Sequence, residues 1–196
     1  MKVAVFYHVA LMGEWRAVDG IIMAALEASG VLDAATVFVR NECAPETFEF
    51  PTLDMVRGFA QGSGDYAVLY LHTKGVHRSS ESIIDWRECM LYWMVERWRE
   101  CVAQIAAGYD AVGINHVPTP ERHFQGNFWW ASTRYLASLG PVADITFRPN
   151  YEDQTERHKA EFWLLSRDGR GYQPYHHHLD PYKDRNPRER YEALPF

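Results

Sequence analysis

Tyr66-Ala67-Val68-Leu69-Tyr70-Leu71-His72-Thr73-Lys74-Gly75 is the stretch from which the rest of the chain is read. Its apolar and aromatic run has the length and composition of a strand buried on both faces, and it breaks abruptly into a polar turn that carries a cation. In an open α/β sheet, ligands collect outside the carboxyl ends of the strands, so His72, Thr73 and Lys74 stand where chemistry is expected. Gly75 lets backbone approach closely, and Lys74 beside it can hold a phosphate group as a point charge. A solvated loop lysine is the competing reading.

Upstream, Lys2 to Ala10 is a β-rich apolar run, and Trp15, Val18, Ile21, Ile22, Ala25 and Leu26 then recur at helical spacing until Ser29-Gly30. Thr36 to Val39 reads as a second short strand, Asn41 to Pro51 as a loop, and Leu53 to Gln61 as a weaker helix. Downstream, Ser79-Ser80 are candidate caps for the clearest helix, with Glu81 in its first turn near the positive end of the macrodipole. Its apolar stripe keeps the 3.6-residue period from Ile83 to Ala107, and Gly108 stops it. Tyr109 to Asn115 is another buried strand. Beyond Gly126 the pattern predicts a short helix near Ala131 to Leu139, a strand at Asp144 to Phe147 and a helix around Asp153 to Leu165. Strands alternating with helices predict an α/β layer architecture on a mostly parallel central sheet. Residues 1–166 read as one domain. Residues 167–196 hold Gly, Pro, Tyr and His without a period and read as an irregular tail or lid packed on it.

Composition narrows the function classes. With 47% apolar residues in 196, the chain can bury a sizeable core. A net charge of −6 and the lack of a clustered Lys/Arg tract argue against a nucleic-acid partner. Cys43, Cys89 and Cys101 are odd in number, and the last two lie twelve residues apart on one predicted helix, too far along its axis to bridge. A reduced, cytoplasmic protein is expected. No apolar run approaches the roughly 20 residues that span a bilayer, and Met1-Lys2-Val3-Ala4-Val5 leads straight into a strand pattern with no cleavage site. No transmembrane segment is expected, and peripheral membrane contact stays open.

Several side chains are candidates for chemistry. Arg87 falls on the apolar stripe of the long helix and needs a partner, because an unpaired buried charge is costly. An internal carboxylate such as Asp65 or Asp110 would serve, and so would the diphosphate of a ligand beside Lys74. Asp85 reads as a first-turn dipole partner. His123-Phe124-Gln125-Gly126-Asn127-Phe128-Trp129-Trp130-Ala131 interleaves polar groups with large flat rings, a chemistry suited to the apolar faces and hydroxyl rims of sugars. Phe128 and one tryptophan are expected in the core, leaving His123, Asn127 and the other of Trp129 and Trp130 as site candidates. Arg157 and Glu161 are spaced i,i+4, usually a modest surface pair. Phe162 to Leu165 follow directly, so Glu161 borders an apolar region and could act as a general base toward an acceptor hydroxyl. Consecutive His176, His177 and His178 do not share one face of a regular element and are a weak metal signal.

Taken in order, Tyr70-Leu71-His72-Thr73-Lys74-Gly75, Asp85-Trp86-Arg87, Gly126-Asn127-Phe128-Trp129-Trp130-Ala131, and Arg157 with Glu161-Phe162-Trp163-Leu164 resemble a group of small glycosyltransferase-like domains. These occur in bacterial polysaccharide clusters and in large algal viruses. The resemblance covers roughly Met1 to Leu165 and implies a GT-A-like fold, a nucleotide-sugar-binding α/β sandwich. It implies a nucleoside-diphosphate sugar as donor and a glycan hydroxyl as acceptor. By that analogy Tyr7 and His8 lie near the nucleotide base, and His72 to Gly75 near the diphosphate. Many GT-A enzymes hold a divalent cation, Mn or Mg, on an Asp-x-Asp motif at this strand end, whereas this chain has His72-Thr73-Lys74. Lys74 and Arg87 could then replace the metal in neutralising the departing diphosphate. A noncatalytic carbohydrate-binding or assembly module on the same fold is the alternative.

Overall fold

The computed structural model describes residues 1–77, 80–147 and 155–196. Lys2–Ala10 (β1) and Tyr66–His72 (β3) are buried along nearly their whole length, as expected of neighbouring strands covered on both faces. They pair in parallel, and Ala35–Cys43 (β2) pairs in parallel on the other side of β1. Trp15–Ala28 (α1) makes the crossover from β1, burying Val18, Ile22 and Leu26, and ends where Gly30 takes the left-handed conformation. Val31–Ala34 (α2) is one further turn. Phe50–Gly62 (α3), with proline in its first turn, makes the crossover to β3.

The long helix predicted through Ala107 divides into Glu81–Leu91 (α4), a π-helical turn at Tyr92–Glu96, and Trp98–Ala106 (α5). The wider turn has a visible cause. Arg97 N–H reaches back to Tyr92 O, and the freed Met94 carbonyl accepts the indole N–H of Trp130 at 2.7 Å. Ser79, one of the two candidate caps, and Asp153, at the start of the last predicted helix, lie outside the described residues.

Ala111–Gly113 (β4) is shorter than the predicted strand and is followed by His116–Val117 (β5) and His123–Phe124 (β6), a small antiparallel ribbon. Trp129–Ser132 (β7) corrects the prediction of a helix from Ala131. It enters the middle of the sheet antiparallel to β3 and β4, and the helix Thr133–Leu136 (α6) begins only where the Ser132 side chain caps it. Strand propensity of the tryptophans and burial on both faces outweigh the helical pattern. The strand predicted at Asp144 to Phe147 is absent. Val142–Asp144 is a 3-10 turn, and the place beside β4 is taken by Gly171–Tyr172 (β8), reached through His158–Trp163 (α7). The result is a mixed α/β molecule on a mostly parallel six-stranded sheet of order β2-β1-β3-β7-β4-β8, with β7 reversed.

Two apolar layers cover this sheet. Val5, Tyr7, Leu71 and Trp130 face α1 and the α4–α5 helix, while Phe6, Tyr70 and Trp129 face α3 and α7. The tail is integral to the first layer: Tyr175 stacks on Trp93 at 5.5 Å, and Tyr191 is fully buried. No helix among the described residues is long and apolar enough to cross a membrane.

Candidate functional site

Register brings the first pair of site residues together. β1 and β3 end level, with His8 opposite His72, and the period-2 alternation turns both toward the α3 and α7 layer. The ends are stitched by Thr73 N–H donating to His8 O at 3.0 Å and Ala10 N–H donating to Thr73 Oγ1 at 2.9 Å. A cleft of about 380 Å³ opens there, lined by His8, His72, Thr73 and Lys74 at the strand ends. Trp86 of α4, Tyr182 of the tail, and Arg157 and Glu161 at α7 complete it. Lys74 Nζ lies 4.2 Å from the centre of the Trp86 ring, a cation–π contact that holds the ammonium at the cleft. Arg157 and Glu161 both line the cleft and are not ion-paired to each other among the described residues.

Glu49, at the start of α3, is a cleft residue that sequence reasoning missed, as it missed Tyr182. Its Oε2 accepts two hydrogen bonds of 2.6 Å, from the Tyr70 hydroxyl and from Asn127 Nδ2. Its Oε1 lies 4.0 Å from His72 Nε2, and 17% of the side chain is exposed. Burial pushes the Glu49 carboxyl up, but His72, His8, the Tyr70 hydroxyl and Lys74 together outweigh it and hold the group below the usual carboxylate range. Burial drives His8 down to about 4, so its ring is neutral at pH 7. His8 Nδ1 meets Thr52 Oγ1 at 2.8 Å, and His72 Nε2 donates to Gly126 O at 3.1 Å. The one available signal for Glu49 was its place just before Phe50-Pro51, a helix start that favours an acid.

The other predicted residues are distributed differently. Tyr7 points to the α1 side of the sheet, where burial and Asp19 raise its phenol well above normal, and it does not line the cleft. Arg87 lines a neighbouring cavity of about 460 Å³ with Gly13, Glu14 and Ile84, because Ile83 and Trp86 are the α4 residues turned to the cleft. Its Nη1 donates to Lys74 O at 3.2 Å, so it supports the turn from behind, and it is not paired with Asp65 or Asp110. Asp85 is more than a dipole partner: Arg185 Nε, Arg185 Nη2 and Asn186 N–H all donate to it, anchoring the tail.

The aromatic segment is core rather than platform. Trp129 stacks on Tyr70 at 5.0 Å, Trp130 lies on the opposite face, and both are buried. His123 bonds to Glu121 O and packs on Phe162, away from the cleft. Asn127, in a left-handed conformation, accepts from Trp129 Nε1 and donates to Glu49. It acts on the cleft through that carboxylate. His177 of the tail is held by Asn115, and among the described residues no three His, Cys, Asp or Glu side chains are grouped to hold a metal. All three cysteines are free and buried.

A family model described as a domain of unknown function, DUF8361, matches residues 24–178. The chain belongs to the DUF8361 family. Its matched span contains Glu49, His72 to Lys74, Asn127, Arg157 and Glu161, whereas His8 and Tyr182 come from outside it. No curated protein and no solved structure matches the chain.

Proposed function

We propose that this DUF8361 chain is a GT-A-like, nucleotide-sugar-dependent glycosyltransferase of the cytoplasm, moving a sugar from a nucleoside diphosphate to a glycan hydroxyl. The observation that carries this reading is the cleft itself. It joins Lys74 and Arg157, two cations suited to a diphosphate, with the carboxylates Glu49 and Glu161 at the carboxyl ends of parallel strands. In the transfer, the acceptor oxygen bonds to the anomeric carbon as the bond to the diphosphate oxygen breaks. Lys74 and Arg157 stabilise the charge that develops on the leaving group, and Glu161 takes the acceptor proton if the anomeric centre inverts.

A divalent cation fits this donor set poorly. Glu49 has one oxygen committed to Tyr70 and Asn127, and Lys74 contributes positive potential at the same carboxylate. Transfer is therefore proposed to run on side-chain cations. The alternative, a binding module with an aromatic sugar platform, is disfavoured because Trp129 and Trp130 are both enclosed in the core.

Calorimetric titration with UDP, GDP and CDP tests the reading. Binding of one of them, weakened at least tenfold in Lys74→Ala and unchanged by chelator, is expected. Glycan binding without nucleotide binding would replace the transferase with the module.

A further inference from the structure

Glu49 has an unusual division of labour between its two oxygens. A carboxylate offers about four lone-pair sites. Oε2 is occupied by the short bonds from Tyr70 and Asn127, and both donors are themselves fixed, Tyr70 by stacking on Trp129 and Asn127 by the Trp129 indole. Oε1 receives no hydrogen bond among the described residues. The His72 Nε2 hydrogen, on a nitrogen 4.0 Å away, is committed to Gly126 O. The side chain is held rigidly with one oxygen toward the cleft, and the buried Gly126 to Ala131 segment orients both Glu49 and His72.

The surroundings select what that oxygen can take. Lys74 and Arg157 line the same cleft and disfavour a ligand cation, while the carboxylate repels a phosphate. A neutral donor remains, and a hydroxyl is the group such a fixed acceptor reads best. A carboxylate held below its usual range is also a weak base, so proton removal stays with Glu161. Resting on the transferase reading above, we propose that Glu49 Oε1 is the hydroxyl-reading subsite of the cleft and binds one hydroxyl of the transferred sugar while the diphosphate lies toward Lys74. Glu49 is then a specificity residue, Asn127 and Tyr70 are its positioning residues, and the bound sugar is a neutral polyol.

The test compares each nucleoside diphosphate with its hexose conjugate by calorimetry, on wild type and Glu49→Gln. The glutamine carbonyl can still accept from Tyr70 and Asn127 while its amide replaces Oε1. Expected is an unchanged dissociation constant for the nucleoside diphosphate, within about twofold, and a loss of about ten- to a hundredfold for the conjugate. A panel of monodeoxy conjugates supplies the independent arm on wild type alone: one deoxy position should lose about tenfold or more, and Glu49→Gln should be indifferent to it. Equal binding of the conjugate by both proteins, or a wild type indifferent to every deoxy position, overturns the hydroxyl subsite while leaving the transferase reading intact. A wild type that binds no nucleoside diphosphate removes both.

Discussion

Glu49, partly buried, and Asp85, buried, are two acids near the same cleft, and they have opposite roles. Both oxygens of Asp85 are engaged: Arg185 donates to both, at 2.5 and 3.1 Å, and Asn186 N–H adds a third bond at 3.0 Å. It closes the tail onto α4, next to Tyr182 in edge contact with Trp86 at the cleft. Glu49 is held by neutral donors on one oxygen and leaves the other available. An enclosed or partly enclosed acid is therefore a structural anchor or a candidate binding group according to how its lone pairs are filled.

Acid should act first on the surroundings of Glu49. His8 is neutral in the fold down to about 4 and titrates near 6.5 when unfolded. Its contribution is complete above pH 6.5 and is lost as pH falls toward 4, a destabilisation of roughly 3 kcal/mol if fully realised. Glu49, depressed in the fold, adds a loss in the same direction as pH falls below its ordinary value of 4.5. Urea titrations at pH 7 and pH 4.5 measure this, and equal midpoints would show that the histidine is not buried neutral.

Asp85→Ala should cost about 2 kcal/mol through the Asn186 N–H bond alone, without counting the Arg185 pair. Thermal unfolding reads the loss, and faster proteolysis within residues 173–196 would show that the tail has come free. Unchanged stability and protection would mean that the tail is held by Tyr175 and Tyr191 without this clasp. The smallest effect belongs to Tyr70→Phe, which removes one donor to Glu49 and should cost about 1.5 kcal/mol. It should also raise the Glu49 carboxyl, moving the acid limb of sugar-conjugate binding to higher pH. An unmoved limb would assign the depression to the cations instead.

Much of the sheet was legible because its signals are local. β1 and β3 are apolar runs ended by polar turns, and burial on both faces follows from that composition. Lys74 and Glu161 were legible as chemistry-bearing groups and Arg157 only as the i,i+4 partner of Glu161, and the fold brings all three to one cleft. The Trp129-Trp130 pair misled in role, because only one of the two was expected in the core. Adjacent aromatics beside Asn and His suit a ligand platform, and only a central antiparallel strand places both on opposite faces as core.

The sequence by itself determined the alternation of strands and helices, the mostly parallel sheet and the cation-bearing turn at His72-Thr73-Lys74, because each depends on residues close in the chain. The tertiary structure decided the reversed β7, the tail strand β8, the turning of Arg87 away from the cleft and the role of Glu49. Those depend on contacts across long separations, such as the 78 positions between Glu49 and Asn127, where no periodicity records which oxygen meets which donor.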